Sequence, residues 1–464
     1  MARQKSDNSK PEIRDKDITG LKYFEKLLPL FERLHEVGCE RDKAGNRDLH
    51  FDEYCCLVLL FFFNPIVGST RALVQASALK SVQKKLGVPR ASLGFFSEAR
   101  QVFDPELLRP IIGELAKQAQ PLARDPRLQD LKQLLTLVDG TLLTSLPRMA
   151  EASLLKRQSG SGQVKWCLHT HFDVEKYVPD RIDVTPDGGG EHDERAVLER
   201  VLERDRRYVM DRGYAKFALF NAIVKHDSSY VCRLRDNSVY EIAEERPLTD
   251  ADRAVNVLSD QIVRIGLSRP AAFRPDHPVR LVIVKVTPHE SRGKYRGGSS
   301  GVDSDGFLRI MTNLLDVPAE IIALIYQRRR EIEVFFRTFK HLLGCRHLLS
   351  QHPDGIKIQT YCAIIACLLI NLWTGRQPTK RTHEMLCFYL MGWATEDECW
   401  PTSPSSKPAM PPNSQPATLP HHANSEGGVR VILASASLCA APKYPPRRPQ
   451  TVEETQRIAP GHRK

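Results

Sequence analysis

Between Tyr326 and Lys340 the chain reads YQRRREIEVFFRTFK. At about 100° per residue on a helix, Tyr326, Arg329, Glu333, Arg337 and Lys340 fall in one stripe. Ile332, Phe335, Phe336, Phe339, Leu342 and Leu343 gather on the opposite side. A solvated helix face more often pairs Glu with Lys four residues apart; here one carboxylate stands among cations with a tyrosine above it. Two other acids stand out upstream. Asp139, in TLVDGTLL, sits among apolar neighbours where an unpaired charge is costly. Asp211, in YVMDRGYAKF, ends an apolar run just before Gly213 and Tyr214. Each has a plainer reading: a salt-bridged surface helix for Glu333, a turn pair for Asp139-Gly140 and a helix cap for Asp211.

Three convergent carboxylates in a basic chain suit Mg²⁺, which takes hard oxygen ligands and keeps waters and substrate phosphate oxygens in its other positions. Two such ions about 3.5–4 Å apart activate an attacking oxygen and stabilise a leaving one. On this reading Asp139, Asp211 and Glu333 are both catalytic residues and metal ligands, with Mn²⁺ able to substitute. The surrounding Arg and Lys side chains hold DNA phosphates.

The elements that must position these acids follow from periodicity. LLTLVDGTLL (134–143), VKWCLHTHFDV (164–174), RIDVTP (181–186), RYVMDRGY (207–214) and YVCRLR (230–235) read as strands. DERAVLERVLERD and AKFALFNAIVKH read as helices before and after the fourth. Three strands, helix, strand, helix, strand builds one mixed sheet, a meander followed by parallel crossovers. With the first and fourth strands adjacent, Asp139 and Asp211 emerge side by side.

Around this α/β core the organisation reads as a polar tail (1–17), a helical N-terminal domain (18–125) that binds DNA, the catalytic domain (126–345), a C-terminal helical region (346–400) and a Pro-rich disordered tail (401–464). The catalytic domain carries a β-rich insertion at about 236–310 and, after it, one long helix from about Ala319 to Leu343. The 464 residues carry 67 Lys and Arg against 56 Asp and Glu, a formal charge of +11, and pI is near 9.1, which favours a polyanionic partner. Eleven cysteines without a CxxC pair suit a reducing cytosol rather than a disulfide scaffold. The first residues carry no apolar segment of the signal-peptide kind. The run CCLVLLFFF (55–63) is too short to span a bilayer, so no membrane partner is expected.

Tyr326, Arg329, Glu333 and Lys340, spaced Y-(2)-R-(3)-E-(6)-K, resemble the signature of the insertion-sequence-four family of bacterial DDE transposases. VDGT at Asp139, DRGY at Asp211, YVCRLRDN and IMTNLLDVPAEI stand in matching order. The resemblance runs from about residue 20 to 395. One departure is Arg330, where the family often has Trp. The resemblance implies an RNase H-like core, with Asp139, Asp211 and Glu333 as the catalytic acids, and Tyr326, Arg329 and Lys340, joined by Arg337 on the same stripe, against DNA phosphates. It implies excision and strand transfer of an insertion sequence without a covalent enzyme intermediate, on double-stranded DNA comprising terminal inverted repeats and target, by a synaptic homodimer in the bacterial cytoplasm, associated with the nucleoid. The alternatives are an RNase H-like nuclease or resolvase without strand transfer, and a non-catalytic DNA-binding regulator.

Three weaker signals remain. In the loop SRGKYRGGSSG (291–301), Arg292, Lys294 and Arg296 flank Tyr295 as a backbone-tracking DNA contact would. His169 and His171 share a strand face, either as half of a metal pair or as histidines near a phosphate channel. GGGEHDERAV, with Gly188 to Gly190 ahead of Glu191, Asp193 and Glu194, reads as a flexible turn and an acidic helix start rather than a phosphate cradle.

Overall fold

The computed structural model describes residues 28–37, 41–42, 48–122, 125–145, 164–186, 189–286, 306–343, 352–395 and 398. The tails expected at 1–17 and 401–464 and the basic loop bearing Arg292, Lys294 and Arg296 lie outside the described residues.

Alternation of side chains along the first strand sets up a two-sided sheet. In β1 (Leu134–Ser145), Leu135 and Leu137 point to one core and Val138 to another. β2 (Val164–Asp173) and β3 (Val178–Pro186) follow as the expected antiparallel meander. α8 (Glu194–Arg200) then leads to β4 (Arg206–Met210), and α9 (Phe217–Lys225) leads to β5 (Ser229–Arg233). β4 pairs parallel with β1, and β5 parallel with β4.

The segment read as a β-rich insertion lengthens this same sheet. β6 (Tyr240–Glu245), the short α10 (Asp250–Ala254), β7 (Val257–Ile265), β8 (Val279–Lys285) and β9 (Phe307–Thr312) continue the chain. β9 docks antiparallel on β5, giving a nine-stranded mixed sheet in the order β3-β2-β1-β4-β5-β9-β8-β7-β6. α8 and α9 cover one face over Val138, Tyr208, Met210, Tyr230, Cys232 and Met311.

Among the described residues, the remaining α-helices join the core on the other face. α1 (Leu28–Phe31), α2 (Leu34–Val37), α3 (Phe51–Phe63), α4 (Thr70–Ser77), α5 (Lys80–Leu86), α6 (Leu93–Val102) and α7 (Leu108–Gln118) precede the sheet. α11 (Ala319–Gln327), α12 (Arg330–Leu343), α13 (Pro353–Thr374) and α14 (Lys380–Leu390) follow it. The helices before and after the sheet share one core with Leu135, Leu137, Val209 and Val231, so no break between cores falls at the boundary expected near residue 125. α13 is long and apolar enough by composition to cross a bilayer, but 89% of its apolar window is buried within the fold, where it packs on α3, α7, α12 and β3. It is the central strut of the helical layer, ended by Gly375 in the left-handed conformation.

The single helix expected over Ala319–Leu343 is two helices. At the break Arg329 N donates to Tyr326 O at 3.1 Å and Glu331 N to Arg328 O at 2.9 Å, so the ladder tightens to three-residue turns. Arg328 pairs with Glu331 while Arg329 turns inward. The apolar stripe of α12 is buried as expected, with Ile332, Phe335, Phe336 and Phe339 in the core.

The start of α11 is fixed by a buried ion pair from the added strands. Arg280 on β8, 1% exposed, donates Nε to Asp260 Oδ1 and Nη2 to Asp260 Oδ2, each at 2.7 Å. Its Nη1 donates to Leu314 O at 2.9 Å and also reaches the carbonyls of Leu315 and Val317. Asp252 of α10 accepts from Glu320 N at 2.9 Å, capping α11. The outer strands therefore set where α11 begins. Asp260→Ala should destabilise the chain by about 3–5 kcal/mol, because it leaves a buried guanidinium without its counter-charge; urea unfolding followed by circular dichroism measures the loss.

Candidate active site

The register of β1 and β4 determines where the two aspartates stand. Pairing runs to Leu137 opposite Val209, so positions 139 and 211, two residues further on each strand, come level at the carboxyl end of a parallel pair. Asp211 also caps the turn that follows, accepting Gly213 N on Oδ1 at 2.5 Å. The cap and site readings of this residue are compatible. Asp139 accepts its neighbour's amide, Gly140 N, on Oδ1 at 2.9 Å.

α12 brings the third acid, and Arg329 links it to the first. Arg329 Nη1 donates to Asp139 Oδ2 at 2.9 Å, and Nη2 donates to Glu333 Oε1 one turn along the helix. The Arg329 and Asp139 side chains are 18% and 19% exposed, and Glu333 is 41% exposed. Burial disfavours the charged guanidinium, but Asp139, Tyr326, Glu333 and Asp211 outweigh it and hold Arg329 more firmly protonated than usual. Burial pushes Asp139 up to about 6; Arg329 pulls it down, and Asp211 adds to the rise. Burial likewise raises the Tyr326 phenol, which lies within electrostatic reach of Arg329 and Asp211. The structure thus brings Asp139, Asp211, Glu333, Tyr326 and Arg329 together. Arg337 is exposed and Lys340 half-buried further along α12, with no contact to the acids in this arrangement.

A further carboxylate stands here that sequence reasoning assigned to a helix start. Asp193 is the cap of α8, accepting Arg195 N at 3.0 Å. Glu194, the first residue of the helix, is directed at the site instead, and burial, then Asp139 and Asp211, push it up to about 7. Its hydrogen-bond partner is the Cys167 thiol, at 3.8 Å. The Tyr214 hydroxyl is buried without a partner among the same groups. The signal for Glu194 was its place in the crossover between the third and fourth strands.

Both strand histidines are buried in the sheet. His169 and His171 are 5% and 4% exposed, and burial lowers them to about 4 and about 3, so both are neutral. His169 Nε2 lies 2.8 Å from Thr185 Oγ1, and His171 packs edge-on against Tyr208. They belong to the sheet interior. Of the glycine triplet, Gly189 and Gly190 form the turn into α8 and Gly188 lies outside the described residues.

Among the described residues no three His, Cys, Asp or Glu groups close on one point as the side chains stand. The cation that Asp139 and Glu333 share is the Arg329 guanidinium. The donor set nevertheless suits a hard divalent ion, which needs only one or two carboxylates and completes its shell with water. A bound water would also partner the buried Tyr214 hydroxyl.

Adjacent parallel strands of the mixed sheet and a later helix thus gather acids around one cation. The Transposase DDE domain family matches residues 131–369, just over half of the chain, and the chain belongs to it. A Geobacillus stearothermophilus protein named as transposase for insertion sequence element IS5377 is 28% identical over 222 residues, 48% of this chain and 52% of that one. A Sinorhizobium fredii protein named as transposase y4zB is 23% identical over 206 residues, 44% and 52% of the two chains. A Synechocystis protein named as transposase for element IS4SA is 24% identical over 326 residues, 69% and 83% of the two. The match thus spans about half the length of the first two relatives. The piggyBac transposase, in a synaptic complex with hairpin DNA, aligns at 11% identity and TM-score 0.35 over 82% of this chain and 77% of that one, too loose a match to argue from.

The raised Asp139 fixes a pH dependence. Because the folded carboxyl holds its proton more tightly than the 3.8 of a free aspartate, its contribution to stability is complete below that pH and is lost as pH rises toward about 6. Carboxyl carbon NMR of the metal-free chain should show Asp139 titrating near about 6, and Arg329→Ala should move the midpoint upward by removing the charge that pulls it down.

Proposed function

We propose that this transposase excises and inserts its element by metal-dependent phosphoryl transfer, on an RNase H-like core formed by β1 to β5. The observation that carries the reading is the meeting of Asp139, Glu333 and Asp211 around Arg329, from elements far apart in a chain of this family. Asp139, Asp211 and Glu333 would hold two Mg²⁺ ions, with Mn²⁺ able to substitute. When bound, these ions activate the attacking oxygen and stabilise the leaving one. Asp139 and Glu333 would give up Arg329 on binding them, and a DNA phosphate would be its replacement partner. Tyr326 stands beside it, and Arg337 and Lys340 extend the phosphate contact along the same helix.

The substrates on this reading are the terminal inverted repeats and target DNA. A homodimer bridges the two ends, in the bacterial cytoplasm at the nucleoid. The N-terminal helices and the 291–301 loop, with Arg292, Lys294 and Arg296, add contacts to end DNA.

Asp139→Asn, Asp211→Asn and Glu333→Gln should each lower cleavage of terminal-repeat DNA in Mg²⁺ by at least about a thousandfold, the scale on which single members of a catalytic set act. Gel assays with labelled ends read both cleavage and joined product. Cleavage by Asp139→Asn at the rate of the unaltered protein would remove the assignment, and cleavage without joining would make the protein a nuclease.

A further inference from the structure

β1 presents two faces at the site. Asp139 follows Leu135 and Leu137 toward the α12 side, where Oδ2 meets Arg329. Gly140 alternates to the α8 side, and there it has no side chain to present. A Cβ on Gly140 would stand 2.3 Å from Glu194 Oε1, 2.9 Å from the Glu194 carboxyl carbon and 3.2 Å from Cys167 Sγ. The Glu194 carboxylate therefore occupies the space that any other residue at 140 would fill. Asp139 Oδ1 accepts from Gly140 N at 2.9 Å, which leaves only Oδ2 engaged with Arg329.

Glu194 has no ordinary reason to be there. Helix α8 is capped by Asp193, and Arg195 pairs with Asp193 rather than with Glu194. The Asp139 and Asp211 charges act on Glu194, and the neighbouring Arg195, within electrostatic reach of it, makes its ion pair with Asp193. A second, independent feature points to a missing partner at the same place. Tyr214, 1% exposed, buries its hydroxyl with no hydrogen bond, within electrostatic reach of Glu194, Asp139, Cys167 and Asp211. An orphaned hydroxyl of this kind is costly, and a metal-bound water would satisfy it.

We propose that Glu194 is a fourth carboxylate of the active site, sharing with Asp139 Oδ1 a divalent-cation position entered from the α8 face, with Tyr214 against the water shell of that cation. This rests on the metal-dependent reading above. It gives the two cations separate addresses. Glu333 would serve a position on the α12 side and Glu194 one on the α8 side, with Asp139 available to both. Gly140 is the opening that lets Glu194 through.

Mn²⁺ titration of the full chain by isothermal calorimetry, without DNA, tests this apart from activity. Glu194→Gln should weaken one of two Mn²⁺ sites by about tenfold or more, the scale for losing a carboxylate that supports a metal site. Gly140→Ala should do the same by pushing the flexible Glu194 carboxylate aside, and it decides the matter should Glu194→Gln fail to melt cooperatively. Glu199→Gln, exposed on the same helix, should bind as the unaltered chain does. Unchanged Mn²⁺ binding by Glu194→Gln and Gly140→Ala, alongside loss in Asp139→Asn, overturns the role of Glu194 and leaves the three-carboxylate site standing. Unchanged binding by Asp139→Asn as well overturns the metal reading itself.

Discussion

Acids gathered at the end of a sheet repel one another, and burial removes the water that would screen them. In this chain the Arg329 guanidinium counters that repulsion by bridging Asp139 and Glu333. Much of the surrounding structure can be traced to the requirement that this one cation reach two carboxylates from different layers. It accounts for the tightened turn between α11 and α12, which directs Arg329 inward while Arg328 stays with Glu331. It also accounts for the apolar opposite face of α12, which seats the helix on the core so that Glu333 projects toward β1. A guanidinium is a replaceable tenant. It stabilises the acids without filling their coordination, and it is itself a good phosphate ligand.

The inner part of the fold was legible because its strands are apolar and bounded. β1 to β5 and the helices α8 and α9 follow the sequence pattern in type and order, and parallel pairing of β1 with β4 brings Asp139 level with Asp211. β6 and β7 were not individually legible. Tyr240–Glu245 is an exposed edge strand with no alternation of apolar residues, and β7 is irregular opposite β8 near Val257. The unbroken helix over 319–343 misled because helical periodicity survives a tightened turn. Glu194 was visible only as a residue at a helix start: its approach to β1 depends on an absent side chain at Gly140, and no local pattern reports such a vacancy.

The outer strands are part of the site's scaffold rather than an appendage. Arg280 and Asp260 lie far from Asp139 in the sheet order, yet they hold the carbonyls that precede α11, and Asp252 caps that helix. α11 carries Tyr326 and leads directly into Arg329. A disturbance at β7 or β8 is thereby transmitted to the position of the signature residues through a short, hydrogen-bonded connection.

The far rim of the sheet has a consequence for the molecule in a crowded cell. β6 ends the array with nearly all its side chains exposed, with Glu241, Glu244 and Glu245 in a six-residue strand and a bulge between Ile242 and Glu244. Repulsion between carboxylates and the local kink both oppose the docking of another strand on that rim. A sheet this broad can therefore leave a border open without recruiting its own copies into aggregates.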